Sequence, residues 1–156
     1  MVWDMMLKLL STLFLLAIFG QQVSADNIAV RIQKIIDEGR NACESDGGVF
    51  SMEPSAQAIY KFTSGATVEE VTIVNENYFN CSSTASLYGG SAGAPVHLIT
   101  TNDYKYGYSR AIEIITAFNG TPLILLGLHG MSCGDAGYKP CIQAITLFEG
   151  ELLIKQ

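Results

Sequence analysis

The stretch Ile142-Gln143-Ala144-Ile145-Thr146-Leu147-Phe148-Glu149-Gly150-Glu151-Leu152-Leu153-Ile154-Lys155 holds two apolar runs joined by one Glu-Gly pair. A two-residue connection containing glycine suits a tight antiparallel hairpin, because such turns need positive φ and glycine reaches it without a Cβ clash. Ile142 to Phe148 and Glu151 to Lys155 are therefore read as paired strands. Working back from them, Leu123 to His129 is a continuous apolar run, expected deep in a core. Asn119-Gly120 before it is a strong two-residue turn signal. Ala111 to Phe118 reads as strand or helix. Pro95 to Thr100 and Tyr104 to Tyr108 are strands around the turn Thr101-Asn102-Asp103, with Pro95 at a strand start, where its missing N–H is tolerated. Gln57 to Phe62 and Val68 to Val74 flank a hairpin turn at Thr63-Ser64-Gly65-Ala66, and Asn75-Glu76-Asn77 breaks the second run.

One segment departs from this pattern. From Asp26 to Ala42, Ile28, Ile32, Ile35 and Ile36 recur at spacings of three and four, which puts them on one helix face. Arg31, Lys34, Asp37 and Glu38 take the other side. Asp26 caps the start, Gly39 weakens the last turn, and Gly47-Gly48 ends the region. The expected fold is mainly β (α+β): an N-terminal helix packed on an antiparallel β-meander, rolled or sandwiched and stabilised by disulfides.

The first residues have a different character. Lys8, with Asp4 nearby, precedes the apolar run Leu9 to Phe19; Gly20-Gln21-Gln22 and the small-residue pattern Val23-Ser24-Ala25 follow. This is the order of a secretory signal. The run is shorter than the about 20 apolar residues that span a bilayer. The reading is a signal peptide over residues 1–25 and a single β-rich domain over 26–156, periplasmic or secreted, with an uncleaved anchor as the alternative. The remaining chain of about 130 residues is long enough for one core. The chain is 49% hydrophobic and 15% charged, too apolar for disorder. Its net charge is −6 and no cluster of Lys or Arg occurs. These features argue against nucleic acid as a partner, and against a membrane once the signal is removed.

Cys43, Cys81, Cys133 and Cys141 all follow the signal segment. An even count in an exported domain reads as disulfides. Four cysteines allow three pairings, and the sequence alone does not choose among them. Cys43–Cys81 with Cys133–Cys141 is favoured, because Gly134 to Pro140 is a turn-rich insert that brings its ends together. Zinc ligation by His129 and Cys133 is the weaker reading, since no C-x-x-C pair is present. No catalytic, cofactor-binding or metal site is assigned.

Gly89-Gly90-Ser91-Ala92-Gly93 matches G-x-S-x-G, and Asp103, Glu113 and His129 follow it in hydrolase order. That chemistry needs a sharp strand-to-helix turn exposing the serine. Here Cys81 to Ser86 is not a buried strand, and a strand follows at Pro95. A small serine hydrolase using Ser91 and His129 is therefore the alternative rather than the leading function. His129 is expected at a strand end, bonded to backbone. His97 faces away from Val96 and Leu98 and is expected on the surface or half-buried. Asn80-Cys81-Ser82 and Asn119-Gly120-Thr121 match the glycosylation pattern weakly.

Taken in order, Ala42-Cys43 with Gly47-Gly48, Phe79-Asn80-Cys81-Ser82, Leu87-Tyr88-Gly89-Gly90-Ser91-Ala92-Gly93-Ala94-Pro95-Val96, and His129-Gly130 through Cys133-Gly134 to Pro140-Cys141 resemble a group of small exported alphaproteobacterial proteins of unknown function. The resemblance covers about Asn41 to Glu151, nearly the whole domain. In that group the central loop is C-G-S-G-G-C, and a D-x-x-G-D-G turn precedes the second strand. Gly89 and Ala94 stand where those cysteines would be, and Thr63-Ser64-Gly65 replaces the acidic turn. The resemblance thus supports the pairing above and carries over neither an ion-binding turn nor any activity.

The sequence therefore reads as an exported, non-catalytic domain that binds an unknown protein or envelope component, with inhibition of a secreted enzyme as one version. The expected contact loops hold Tyr88, Ser91, His129, Asp135 and Tyr138, since loops on a rigid sheet carry function. Tyr104, Tyr106 and Tyr108 alternate on one strand face and form a further contact patch or simply cover the sheet.

Overall fold

In a computed structural model, residues 27–64, 67–116, 122–137 and 139–155 are described. The segment read as a signal, Asp26 read as a helix cap, Gly65-Ala66 of the first hairpin turn, the Asn119-Gly120 turn and Tyr138 lie outside them. The helix α1 spans residues 27–45. The strands are β1 Phe50–Met52, β2 Gln57–Ser64, β3 Thr67–Asn75, β4 Phe79–Cys81, β5 Ala94–Ile99, β6 Tyr104–Ser109, β7 Ala111–Thr116, β8 Pro122–Leu128, β9 Cys141–Phe148 and β10 Glu151–Lys155. Short 3-10 turns sit at Pro54–Ala56, Glu76–Tyr78 and Gly130–Cys133.

All pairings are antiparallel. The first sheet has the order β2-β3-β5-β6 and the second the order β10-β9-β8-β7, with β1 and β4 forming a separate two-stranded ribbon. The meander is thus cut in two after β6, where Arg110 alone carries the chain from one sheet to the other. Ala111 to Thr116, readable as helix or strand, is a strand. Its Ile112 and Ile114 pair with Leu126 and Ile124 and pack on the core.

Strand alternation sorts the apolar residues between two cores. Phe62, Val71, Ile73, Val96 and Leu98 of the first sheet meet Ile124, Leu126, Leu128, Ile145, Leu147 and Leu152 of the second. The opposite face of the first sheet is covered by α1. There Ile35 is buried with Val74, Ile99, Phe79 and Tyr88, and Ile28, Ile32 and Ile36 pack against them. The isoleucine stripe read from the sequence is therefore the stripe that docks. Strand β5 lies between both cores and is buried throughout.

Three devices fix α1 on the sheet. Cys43–Cys81 ties its end to β4; the second bridge, Cys133–Cys141, is not one of the three and closes the loop before β9. Tyr88 donates its hydroxyl to the Gly39 carbonyl at 2.6 Å, while its ring packs edge-on against Phe50 and Phe79. A Cβ at Gly39 would stand 3.0 Å from the Phe79 ring, so this glycine permits close approach at the seam. Asp46, just past the helix, accepts from the Ser83 and Thr84 hydroxyls, which hold its carboxyl below the usual range. No helix of the described residues is long and apolar enough to cross a membrane.

Candidate binding site

On β5, Val96 and Leu98 point to the sandwich core, so His97 faces α1. The helix covers that face, and His97 is 5% exposed. This corrects the expectation of a surface or half-buried residue. The ring is fully partnered. Its Nε2 lies 2.8 Å from Glu76 Oε1, and its Nδ1 lies 2.8 Å from the Tyr104 hydroxyl. Glu76 reaches this position because the chain breaks after β3: the Asn75 side chain accepts from the Asn77 amide at 3.0 Å and opens the 3-10 turn. A carboxylate oxygen only accepts, so Nε2 donates to Glu76, and the Tyr104 hydroxyl is the hydrogen-bond partner of Nδ1.

Across from β5, register places Tyr104 beside Ile99, Tyr106 beside His97 and Tyr108 beside Pro95. All three tyrosines therefore share the helix-side face, as the sequence alternation implied. They are 37%, 53% and 50% exposed. Tyr104 stacks on His97 at 6.0 Å, Tyr106 tilts against the same ring at 5.1 Å, and Tyr108 meets Tyr106 edge-on at 6.0 Å. The Arg31 guanidinium lies 4.8 Å over the Tyr104 ring. Burial raises the Tyr104 phenol above its ordinary pKa; Arg31 opposes the rise, and the Glu38 and Glu76 charges reinforce it. Burial and the neighbouring Tyr108 push Tyr106 up to about 12. Tyr104 and Tyr106 thus stay neutral near neutral pH, and each tyrosine of the stripe presents an apolar body and a polar tip.

Recesses lie at both ends of the row. One, of about 310 Å³, is lined by Asn27, Arg31, Thr100, Asn102 and Tyr104 among others. The other, of about 390 Å³, is formed by Ser86 to Gly93 with Pro95 and Tyr108. In the second recess Gly90 and Gly93 exchange backbone hydrogen bonds of 3.1 and 2.9 Å, closing a tight turn with Ser91 at its tip. Gly93 has φ +98°, and a Cβ there would stand 2.4 Å from the Ser109 backbone. The glycine-rich loop is therefore shaped by its approach to the β6–β7 corner. Arg110 Nε donates to the Ser91 carbonyl at 2.6 Å from that corner.

The residues expected in contact loops are dispersed. Tyr88 lines the second recess but is buried and serves the helix seam. Ser91 is exposed on a turn that leads into a strand. His129 lies at the end of β8 with its ring against Gly137, and no hydrogen bond joins it to Ser91 among the described residues. Asp135 pairs with Lys139 at 3.0 Å and accepts the Ala136 amide, both of which hold its carboxyl below the usual range. Cys133 is consumed in its disulfide, and among the described residues no three His, Cys, Asp or Glu side chains gather as a metal-ligand set. Glu76 was missed in the sequence, where it reads only as a turn residue. Its partner is 21 positions away, and no local pattern links the two.

Comparison of the chain with protein-family models, with curated proteins and with solved structures finds no match.

Proposed function

We propose that the protein is an exported, non-catalytic binding module whose contact surface is the tyrosine row of β6 with the adjoining Tyr88 to Ala94 loop. The observation that carries this reading is the row itself. Three half-exposed tyrosines stand on one face, and two of them rest on a buried histidine that Glu76 and Tyr104 hold in place. Preorganised aromatic side chains lose little entropy on binding and are enriched where interfaces concentrate their energy. The partner is a protein or other component of the same envelope or extracellular space; a secreted enzyme held in an inhibited state is one such partner. Two disulfides and the apolar segment before residue 26 support export.

The test is site-specific photo-crosslinking in cells of the native source. A photoreactive phenylalanine analogue replaces Tyr106 in one strain and exposed Val68 in another. Adducts at Tyr106 that are absent at Val68 are the expected result. Equal or absent adducts at both positions would overturn the reading. Mass spectrometry of the same samples should find a chain beginning at Asp26.

A further inference from the structure

The ladder between β5 and β6 has a defined phase. Thr100 N donates to Asp103 O at 2.9 Å, so that pair is hydrogen-bonded. Counting by two along the register makes Leu98/Lys105, Val96/Gly107 and Ala94/Ser109 the other hydrogen-bonded pairs. Pro95, which has no N–H, falls opposite Tyr108 in a non-bonded pair, as the phase requires. The backbone groups of Tyr104, Tyr106 and Tyr108 therefore point away from β5, toward an edge that no other described strand pairs. The Tyr104 amide is taken by its neighbour Asp103 at 2.7 Å. Among the described residues, the N–H and C=O of Tyr106 and Tyr108 and the C=O of Tyr104 have no partner. The inner side of the strand is open at its middle: a Cβ built on Gly107 meets nothing within 4 Å.

Charge marks the same strand. Lys34, Arg40, Lys61, Lys105 and Lys139 each pair with a carboxylate. Arg31 and Arg110 form no ion pair among the described residues. One lies over Tyr104 and the other directly follows β6, so they stand at opposite ends of the row. In a chain of net charge −6, two guanidinium groups outside any ion pair among the described residues flank one open strand edge.

We infer that β6 receives an extended peptide of another protein as an added strand, with carboxylates toward its two ends and a small apolar residue over Gly107. This rests on the binding reading above and gives it a partner class and a mode. Backbone groups spaced along an edge recognise another backbone, and alternate side chains of the incoming strand reach the tyrosine face and the open space at Gly107. A second copy fits less well. Antiparallel pairing of β6 with itself would bring Arg31 of one copy toward Arg110 of the other, with like charges at both ends.

The probe is a synthetic heptapeptide of alternating valine and threonine with alanine at its centre and aspartate at each end, titrated into the full disulfide-bonded protein and followed by amide NMR. The expected result is saturable shifts concentrated at residues 104–110. N-methylating alternate residues on one edge should weaken binding at least tenfold, while methylating the other edge changes it less than twofold. Replacing both aspartates by lysine should weaken it at least tenfold. Without peptide, the Tyr106 and Tyr108 amides should exchange with solvent at least 100-fold faster than those of Lys105 and Gly107. Absent or dispersed shifts, insensitivity to which edge is methylated, slow exchange at Tyr106 and Tyr108, or a dimer lost on Tyr106→Pro would each overturn strand addition. If Tyr106 crosslinks a partner while the peptide fails, the binding face stands and the strand mode falls. If both fail, so does the binding reading itself.

Discussion

Asp103 is where a single substitution should release both the start of β6 and the edge of the second sheet. One carboxylate oxygen accepts the Tyr104 amide at 2.7 Å; the other accepts the Leu152 amide at 3.0 Å and the Lys105 ammonium at 3.1 Å. Leu152 is 1% exposed, so removing its acceptor leaves a buried N–H without a partner, at about 1–3 kcal/mol. The Tyr104 amide lies on an exposed residue where water can replace the carboxylate, and its loss costs about 0.5–1.5 kcal/mol. The ion pair with Lys105 is partly exposed and adds little. Asp103→Ala should therefore cost about 2–4 kcal/mol, a lowering of Tm by roughly 8–15 °C for a domain of this size. Burial pushes the Asp103 carboxyl up, but the two amides and Lys105 outweigh it and hold it below the usual range. The sign follows from linkage: with its pKa lowered in the folded state, the group stabilises above its unfolded value of about 3.9, and this contribution fades as pH falls through the folded value. Urea unfolding of wild type and Asp103→Ala at pH 7 and at pH 3 checks both the size and the sign. A difference under about 0.5 kcal/mol at pH 7 would refute the packing argument, since that is the range of ordinary surface substitutions. A difference of undiminished size at pH 3 would show that the carboxylate charge is not what stabilises the turn.

His97→Leu should cost about 2–4 kcal/mol by leaving Glu76 and the Tyr104 hydroxyl unpaired at the seam, while His97→Gln recovers part of it; urea melts and near-UV circular dichroism of the tyrosines measure both. By the loop-entropy account, replacing Cys43 and Cys81 together by serine should cost about 4 kcal/mol and replacing Cys133 and Cys141 about 2.5 kcal/mol, so an inverted order in urea unfolding would count against it. Gly93→Ala should destabilise by at least about 2 kcal/mol, because positive φ and the Ser109 backbone both oppose a side chain there; an unchanged melting temperature would contradict the loop geometry. A serine-directed fluorophosphonate should leave the purified protein unlabelled; labelling that disappears in Ser91→Ala would restore the hydrolase reading.

The strands legible in the sequence were those whose own patterning sufficed. The Glu149-Gly150 hairpin has its expected partners, and Glu149 and Gly150 both take positive φ. The isoleucine stripe announced the face of α1, because helical periodicity is a local property. Strands β1 and β4, three residues each, carry no alternation long enough to read and owe their pairing to the Cys43–Cys81 region. Rolled and sandwiched forms were both left open, and the place where the meander divides into two sheets was silent, since it depends on a corner at Arg110. For the candidate site, the tyrosine alternation was visible in Tyr104, Tyr106 and Tyr108. What lies under it was not. His97 looked like the solvent-facing member of an alternating strand, and only the helix packed across β5 turns that face inward. Tyr88 looked like a loop contact because its hydrogen bond goes to Gly39, 49 positions earlier.

The helix is therefore more than a cover for an apolar sheet face. It buries His97, which makes the Glu76–His97–Tyr104 chain a fixed support rather than a set of solvated side chains, and it carries Arg31 to one end of β6. What holds the helix down lies at its other end, in the Cys43–Cys81 bridge, the Asp46 contacts with Ser83 and Thr84, and the Tyr88 hydroxyl on Gly39. The same Tyr88 lines the glycine-rich recess beside Tyr108. Both ends of the tyrosine row are thus tied to one helix–sheet seam, one through Arg31 and the other through Tyr88. Such coupling favours an undivided surface. A ligand lying along β6 would meet Arg31, three phenols and the loop turn as one preformed edge, ordered when the chain folds rather than when the partner arrives.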